Sequence, residues 1–301
     1  MLYRKSLVVL LSLVTLTGAA GRPQQGGALE DPPWIKEIAP PRIVYAVPGM
    51  EQVRVRKDLT YRRVAGVELK MDAYAPPHLR AGARLPAVVF IHGGRVPPNL
   101  LTKPKEWGVF VSYGQLAAVS GFVGITFNHR FYSWESWADS QSDVEAAVTY
   151  VRDNADSLGV DKDRIILWAF SAGGLFLSRA LRDAPSYIRC LVSYYAILDL
   201  QPLRKEIPAT ITDETLSEFS PLHHLSRQSK AIAPIFIARA GLDDKVINSG
   251  ADRFIQEAVS KNVTMDFSNH AAGQHGFDVL DNNERSREII KRTIEFIKTH
   301  G

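Results

Sequence analysis

The chain has one cysteine, Cys190, so no disulfide can form within it, and its stability must come from an apolar core. That cysteine opens the apolar run Cys190-Leu-Val-Ser-Tyr-Tyr, which marks it as a small buried hydrophobe rather than a reactive thiol. None lies near the N-terminal small residues where a lipoprotein would carry its lipid. The longest early apolar run, Ser6 to Leu16, is too short for a comfortable membrane span. A concentrated basic patch is also lacking. The nearest thing to one, Arg54, Arg56, Lys57, Arg62 and Arg63, reads as exposed positions on edge strands, so no nucleic-acid partner is expected. There is no phosphate-binding P-loop, internal repeat or low-complexity tract. His223 and His224 are adjacent in a polar stretch without a carboxylate-rich neighbourhood, so neither a metal nor any other cofactor is expected.

What remains is an ordinary globular composition, 46% hydrophobic and 23% charged with a formal net charge of +4. The first 20 residues read as a signal peptide: Arg4 and Lys5 give a charged start, an apolar run follows, and Gly18, Ala19 and Ala20 supply a cleavage site. The protein is therefore expected outside the cytoplasm, secreted or periplasmic, with no stable membrane insertion of the mature chain. Residues 21–48, rich in Gly, Pro and Gln, read as a linker or irregular arm, and 49–301 as one domain.

Within that domain two alternating stretches from Asp58 to Tyr74 flank Ala65-Gly66, the pattern of a β-hairpin. Apolar runs then predict buried strands at Ala87 to Ile91, Phe122 to Phe127, Ile165 to Phe170, Cys190 to Ile197 and Ala233 to Ala238, and a sixth strand is read at Val263 to Phe267. Between them lie helical patterns at Gln115 to Ser120, Ser142 to Leu158, Ala172 to Leu181, Ala251 to Val259 and Glu284 to Ile297. Such alternation implies right-handed crossovers and a mostly parallel central sheet flanked by helices, with an N-terminal antiparallel hairpin at one edge. The long mixed stretch at about 198–230 interrupts the alternation and reads as a lid-like insertion that selects substrate.

The segment Ile165-Ile-Leu-Trp-Ala-Phe-Ser-Ala-Gly-Gly174 drives an apolar strand straight into Ser171 and then into a helix. A serine on so sharp a strand-to-helix turn is held exposed at the end of the sheet, as a nucleophile must be, with small residues where the two backbones nearly touch. Val88-Val-Phe-Ile-His-Gly-Gly94 ends another strand. Gly93 and Gly94 bring backbone N–H groups close to a developing oxyanion, and Ala172 offers another; each such donor is worth on the order of 3 kcal/mol. His92, at the start of that tight turn, braces the loop. The base must come from a different loop at the same edge: His275, in Gly273-Gln-His-Gly-Phe-Asp278, or its rival His270. The orienting acid is expected in Ala240-Gly-Leu-Asp-Asp-Lys245, where periodicity does not separate Asp243 from Asp244.

Phe90-Ile-His-Gly-Gly, Asn128-His-Arg130, Phe170-Ser-Ala-Gly-Gly, Ala240-Gly-Leu-Asp and His275-Gly-Phe together resemble the esterase/lipase branch of the α/β-hydrolases, nearest to its hormone-sensitive-lipase-like and feruloyl-esterase-like bacterial members. The resemblance runs from about Asp58 to Ile297. It implies the α/β-hydrolase fold, the order nucleophile, acid, base along the chain, and Asp243 as the acid. The implied activity is a serine hydrolase cleaving small or aromatic acyl esters through an acyl-enzyme intermediate, with a small-molecule ester as partner. Two departures stand out: Ala169 replaces the glycine before the nucleophile, and Arg95 replaces the third loop glycine. Trp107, Phe131, Tyr132, Trp134 and Trp137 are expected either in the core or lining the acyl or alcohol pocket. A prolyl-oligopeptidase-type peptidase would share the same serine, acid and base but normally carries a second specificity domain. A non-catalytic binding relative would usually lack one of the three.

Overall fold

The computed structural model describes residues 31–80 and 82–301; the segment read as a signal and the first part of the arm lie outside these residues. Eight strands form one sheet: β1 (Arg54–Val64), β2 (Val67–Ala75), β3 (Leu85–Ile91), β4 (Val123–Phe127), β5 (Val160–Phe170), β6 (Ile188–Tyr194), β7 (Ile235–Ala240) and β8 (Met265–His270). Their spatial order is β1-β2-β4-β3-β5-β6-β7-β8. β2 is antiparallel to both β1 and β4, and every pairing from β4 through β3 to β8 is parallel. The described helices are α1 (Pro33–Ile38), α2 (Gly108–Val119), α3 (Trp137–Asp153), α4 (Ala155–Leu158), α5 (Ser178–Asp183), α6 (Asp213–Glu218), α7 (Pro221–Arg227), α8 (Lys245–Ser260), α9 (Phe277–Leu280) and α10 (Glu284–His300). A mostly parallel sheet with an N-terminal antiparallel hairpin is the architecture that the alternation and the resemblance implied.

The inner strands read as unbroken apolar runs because both faces are covered. Val89, Ile91, Leu167, Ala169 and Leu191 pack with Val144, Ala147, Val148 and Val151 of α3 and Phe254 and Ala258 of α8. The alternate residues Val88, Phe90, Ile166, Trp168, Phe170, Val192 and Tyr194 pack with Phe110, Tyr113, Leu116 and Ala117 of α2 and Ile289, Ile290 and Ile297 of α10. β8, at the sheet's edge, breaks the apolar rule. It continues past Phe267 to His270, which pairs with Ala240 of β7. The continuation, Ser268-Asn-His270, consists of polar residues and so escapes a search for apolar runs. β6 ends at Tyr194, three residues before the apolar run does, because Tyr195 takes the left-handed conformation (φ +37°) and turns the chain off the sheet.

The described part of the arm is packed. Ile35 and Ile43 are buried on the α2 side, Gly108 N–H donates to Ala39 O, and Ile43 N–H donates to Ser112 Oγ. The 198–230 stretch is likewise closed by its own apolar residues. Leu200, Leu203, Ile207, Ile211, Leu216, Phe219 and Leu225 join the core on the α3 and α8 side. Phe219 lies against Trp137, and Asp199 pairs with Arg253 of α8. It forms a helical cap, α6 and α7, seated on α5 and α8.

Candidate active site

β3, β5, β7 and β8 all deliver their following loops to one rim of the sheet, the carboxyl edge, where open α/β sheets bind ligands. Ser171 sits directly after β5 with φ +52°, a conformation a non-glycine residue holds only under constraint. The constraint is visible in the packing. A methyl group on Gly93 would stand 2.6 Å from both Phe170 O and Ser171 Cβ, and one on Gly173 would stand 2.6 Å from Ile91 O. Only hydrogen fits at both places, so the β3 loop and the turn after β5 are locked together. The helical turn behind Ser171 differs from the regular helix expected over Ala172 to Leu181: Ser171–Leu177 is 3-10 and the α form begins only at Ser178. The backbone contact between Gly173 and the end of β3 accompanies this tighter winding.

Ser171, His275 and Asp243 form one hydrogen-bonded chain. Ser171 Oγ lies 2.9 Å from His275 Nε2, and His275 Nδ1 lies 2.8 Å from Asp243 Oδ2. With the imidazole neutral, the serine hydroxyl donates to Nε2 and Nδ1–H donates to the carboxylate. Ser171 and His275 are half-buried, while the Asp243 carboxylate is enclosed. The loops carrying the acid and the imidazole are tied to each other, since Gly241 N–H donates to His270 O and Leu242 N–H to Gly273 O, each at 2.8 Å. Gln274 closes the imidazole's loop by donating through N–H and Nε2 to the Asp281 carboxylate. Gly276, next to His275, turns the chain with φ +77°.

The alternatives left open by the sequence are separated by geometry. Asp244 accepts from Val246 N–H at 2.7 Å and caps α8. His270 is buried and turned toward α10, with Nε2 3.1 Å from Ser286 Oγ. His92 is buried, its Nδ1–H donating to Gly93 O at 3.0 Å, and its ring is stacked 3.7 Å from that of His129. His129 Nε2–H in turn donates to His92 O at 3.1 Å. Burial pushes the His92 imidazole down to about 4, and burial also holds His129 well below the usual histidine range. The neighbouring Arg130 clamps Asp143 of α3 through its backbone N–H, Nε and Nη2. Asn128-His-Arg130 is thus the brace under the Gly93 loop.

Gly93 N–H and Gly94 N–H donate to no acceptor among the described residues. Ala172 is the second residue of its helical turn, so its N–H has no partner inside the helix. The backbones of Gly93 and Ala172 abut, since a Cβ on Gly93 would lie 2.9 Å from Ala172 N. Arg95 is half-buried with its guanidinium 4.9 Å from the centre of the Trp134 ring. Of the aromatic residues considered for a pocket, Trp107, Phe131, Trp134 and Trp137 are core residues, and Tyr132 alone is half-buried.

The BD-FAE family model matches residues 71–181, and the dienelactone hydrolase family model matches residues 131–301. The chain belongs to the dienelactone hydrolase family. Within the wider esterase/lipase group it is 24% identical to the probable carboxylic ester hydrolase LipM of Mycobacterium tuberculosis, over 70% of this chain and 53% of that protein. It is 30% identical to mouse acylcarnitine hydrolase over 36% of this chain and 20% of that one. The chain therefore spans about half or less of the length of these relatives. Among solved structures, the Thermogutta terrifontis esterase Est2 with butyrate bound superposes with a TM-score of 0.65 at 21% identity, covering 84% of this chain and 95% of Est2. The same esterase phosphorylated by paraoxon superposes at 0.62, covering 82% of this chain and 92% of that one.

Two features of the site had no counterpart in the sequence reading. Tyr195 lays its ring 4.7 Å from that of His275 and donates its hydroxyl to Asp278 Oδ1 at 2.8 Å. Asp278 itself is fully buried and accepts a second hydroxyl, that of Tyr113, at 2.7 Å. The one signal available was an acid three residues after the candidate base. Nothing in Tyr194-Tyr195 separated a ring over the imidazole from an ordinary core aromatic.

Proposed function

We propose that this family member is a serine esterase that hydrolyses carboxylic esters by acyl transfer through Ser171. The observation that carries the reading is the unbroken chain from Ser171 Oγ through His275 to Asp243, beside N–H groups of Gly93 and Gly94 that find no acceptor among the described residues. His275 Nε2 takes the serine proton as Oγ attacks the ester carbonyl. The carbonyl oxygen becomes an oxyanion held by N–H groups of Gly93, Gly94 and Ala172. Nδ1–H stays with Asp243, which stabilises the imidazolium while it lasts. Collapse of the tetrahedral intermediate breaks the bond to the alcohol, which leaves with the proton from Nε2. Water, deprotonated by the same nitrogen, then attacks the acyl-serine and frees the acid.

Relatives described as carboxylic ester hydrolases and an esterase neighbour holding butyrate support short acyl esters as the first substrates to examine. Phosphorylation of that neighbour by paraoxon supports the same reagent as a probe here. Export belongs to the same reading and rests on Arg4, Lys5 and the apolar residues after them. Among the described residues no helix is long and apolar enough to cross a membrane.

The test is turnover of p-nitrophenyl acetate, propionate, butyrate and an aromatic acyl ester by wild type and Ser171→Ala, with intact-mass analysis after paraoxon. Wild type is expected to turn over at least the short esters and to gain one diethylphosphoryl group. Ser171→Ala is expected to do neither. A folded wild type inert to the whole panel and unlabelled by paraoxon would overturn the reading.

A further inference from the structure

Asp278 is a wholly buried carboxyl group beside the site, and it has no cationic partner among the described residues. It is 0% exposed. Its two oxygens are taken by the hydroxyls of Tyr113, from α2, and Tyr195, from the turn after β6. Its backbone oxygen accepts from Val44 N–H of the packed arm at 2.8 Å. No Lys or Arg among the described residues makes an ion pair with it, although a buried carboxylate ordinarily acquires one. The other groups around it are Tyr194 at the end of β6, a buried neutral phenol bonded to Thr293, and His270 of β8, which lies behind Phe277 and bonds to Ser286. The remaining group is His275, three residues back on the same turn and under the Tyr195 ring.

Two hydroxyl donors keep a buried carboxylate ionised but do not neutralise it. Burial raises the proton affinity of the Asp278 carboxylate above the ordinary value, and the two tyrosine hydroxyls oppose that rise. The tyrosines themselves are pushed far above the usual phenol range by burial, so they remain donors. The one positive charge that arises beside this anion is the imidazolium of His275, which forms as the imidazole takes the serine proton. A fixed negative charge present before and after that moment acts on the transition state and not on the bound ester.

We propose that Asp278 is a positioning residue for the esterase reaction: held by Tyr113 and Tyr195, it fixes the His275 turn and the tilted ring set against the imidazole, and its buried charge favours the imidazolium. The proposal rests on Ser171 and His275 working as described above. It makes His275 a base flanked by two carboxylates, Asp243 in direct contact and Asp278 at one remove through the Tyr195 ring.

The experiment compares wild type, Asp278→Asn and Tyr195→Phe, by kcat and KM across pH on p-nitrophenyl butyrate and by NMR titration of the His275 imidazole. Asp278→Asn keeps the shape and removes the charge. Its kcat is expected to fall roughly tenfold with KM within twofold, and the imidazole midpoint, with the acid limb of kcat, is expected to move to lower pH. The sign follows because loss of an anion makes the imidazolium less favourable. Tyr195→Phe keeps the charge and removes the link; its kcat is expected to fall several-fold with KM unchanged. An unshifted His275 midpoint in a folded Asp278→Asn protein overturns the proposal. If that variant does not fold, full kcat in Tyr195→Phe overturns it instead. The NMR titration needs no turnover, so an inert wild type would count against the esterase reading and leave the coupling of Asp278 to His275 to be decided by the midpoint.

Discussion

Asp243 and Asp244 are adjacent in the chain and serve different structures. Asp243 Oδ2 accepts from His275 at 2.8 Å, whereas Asp244 Oδ1 accepts from Val246 N–H at 2.7 Å and starts α8. Substitutions at the two positions should therefore be read by two different instruments. Asp243→Asn is expected to lower kcat by about 10⁴ with little change in thermal stability, since the amide disturbs the imidazole tautomer and withdraws its counter-charge. Asp244→Ala is expected to leave kcat within twofold and to cost about 1 kcal/mol of stability through the lost cap. Equal kinetic losses in both variants would contradict this division.

Gly93 is where the β3 loop meets the turn that holds Ser171. Gly93→Ala would place a methyl group 2.6 Å from Phe170 O and from Ser171 Cβ, both in rigid backbone surroundings. The loop must retreat, taking its N–H groups away from the oxyanion position. The expected loss in kcat is about 10²–10³-fold, the value of one misplaced donor, with roughly 1–3 kcal/mol of destabilisation from the overpacking. Steady-state kinetics beside a urea melt would check it, and a Gly93→Ala enzyme with wild-type kcat would remove this loop from the mechanism.

The stacked pair His92 and His129 predicts how stability depends on pH. Folded His92 titrates near 4 instead of 6.5, because burial disfavours its charged form, and burial depresses His129 as well. Between those values the unfolded chain binds the proton and the folded chain does not. Stability is therefore complete above the unfolded value and falls as the pH drops through the window, by about 3 kcal/mol for His92 alone at its lower end. Asp278, whose folded value is raised by burial, works in the opposite sense. Chemical melts from pH 7.5 to 4.5 are expected to show the net decline, with a shallower slope in His129→Asn. A slope unchanged by that substitution would show that His129 stays out of the acid transition.

These residues also show what was legible in the sequence. Strands packed on both faces announce themselves as apolar runs, and Ser171, Gly93 and His275 lie in loops whose small residues mark close backbone approach. That was enough to bring the two glycines, the serine and the imidazole to one rim. The choice between Asp243 and Asp244 was not legible in the residue pattern, since both follow the same strand; only the resemblance favoured Asp243, and in the fold the direction of each side chain separates them. β8 was cut short because its last three residues, Ser268, Asn269 and His270, are polar although two of them are buried. Tyr195 and Asp278 were hidden for a different reason. Their bonds join α2, the end of β6 and the His275 turn, segments whose proximity exists only after folding. The Arg95 departure was visible, but its stacking on Trp134 required the β3 and β4 loops to be seen side by side.

The same kind of long-range partnership governs Lys105, which is 3% exposed and has its ammonium 3.1 Å from Asp72, a carboxylate of 2% exposure. Asp58 and Glu106 complete the cluster at 3.0 and 3.1 Å. Burial by itself would drive the ammonium toward its neutral form, but the hydrogen bond to Asp58 and the charge and hydrogen bond of Asp72 raise its proton affinity, so it stays charged. Lys105→Met leaves Asp72 buried without a cation, and roughly 3–5 kcal/mol of destabilisation is expected. Adding Asp72→Asn to that variant removes the stranded charge and should return part of the loss. Lys105 touches the brace under the Gly93 loop only through its backbone, its N–H donating to Asn128 Oδ1 and its carbonyl accepting from Thr126 Oγ1. The folded fraction of either variant is therefore expected to keep its kcat. Urea melts paired with kinetics at low denaturant would check both halves, and a double variant less stable than Lys105→Met alone would mean that the two side chains are not coupled in the way their burial requires.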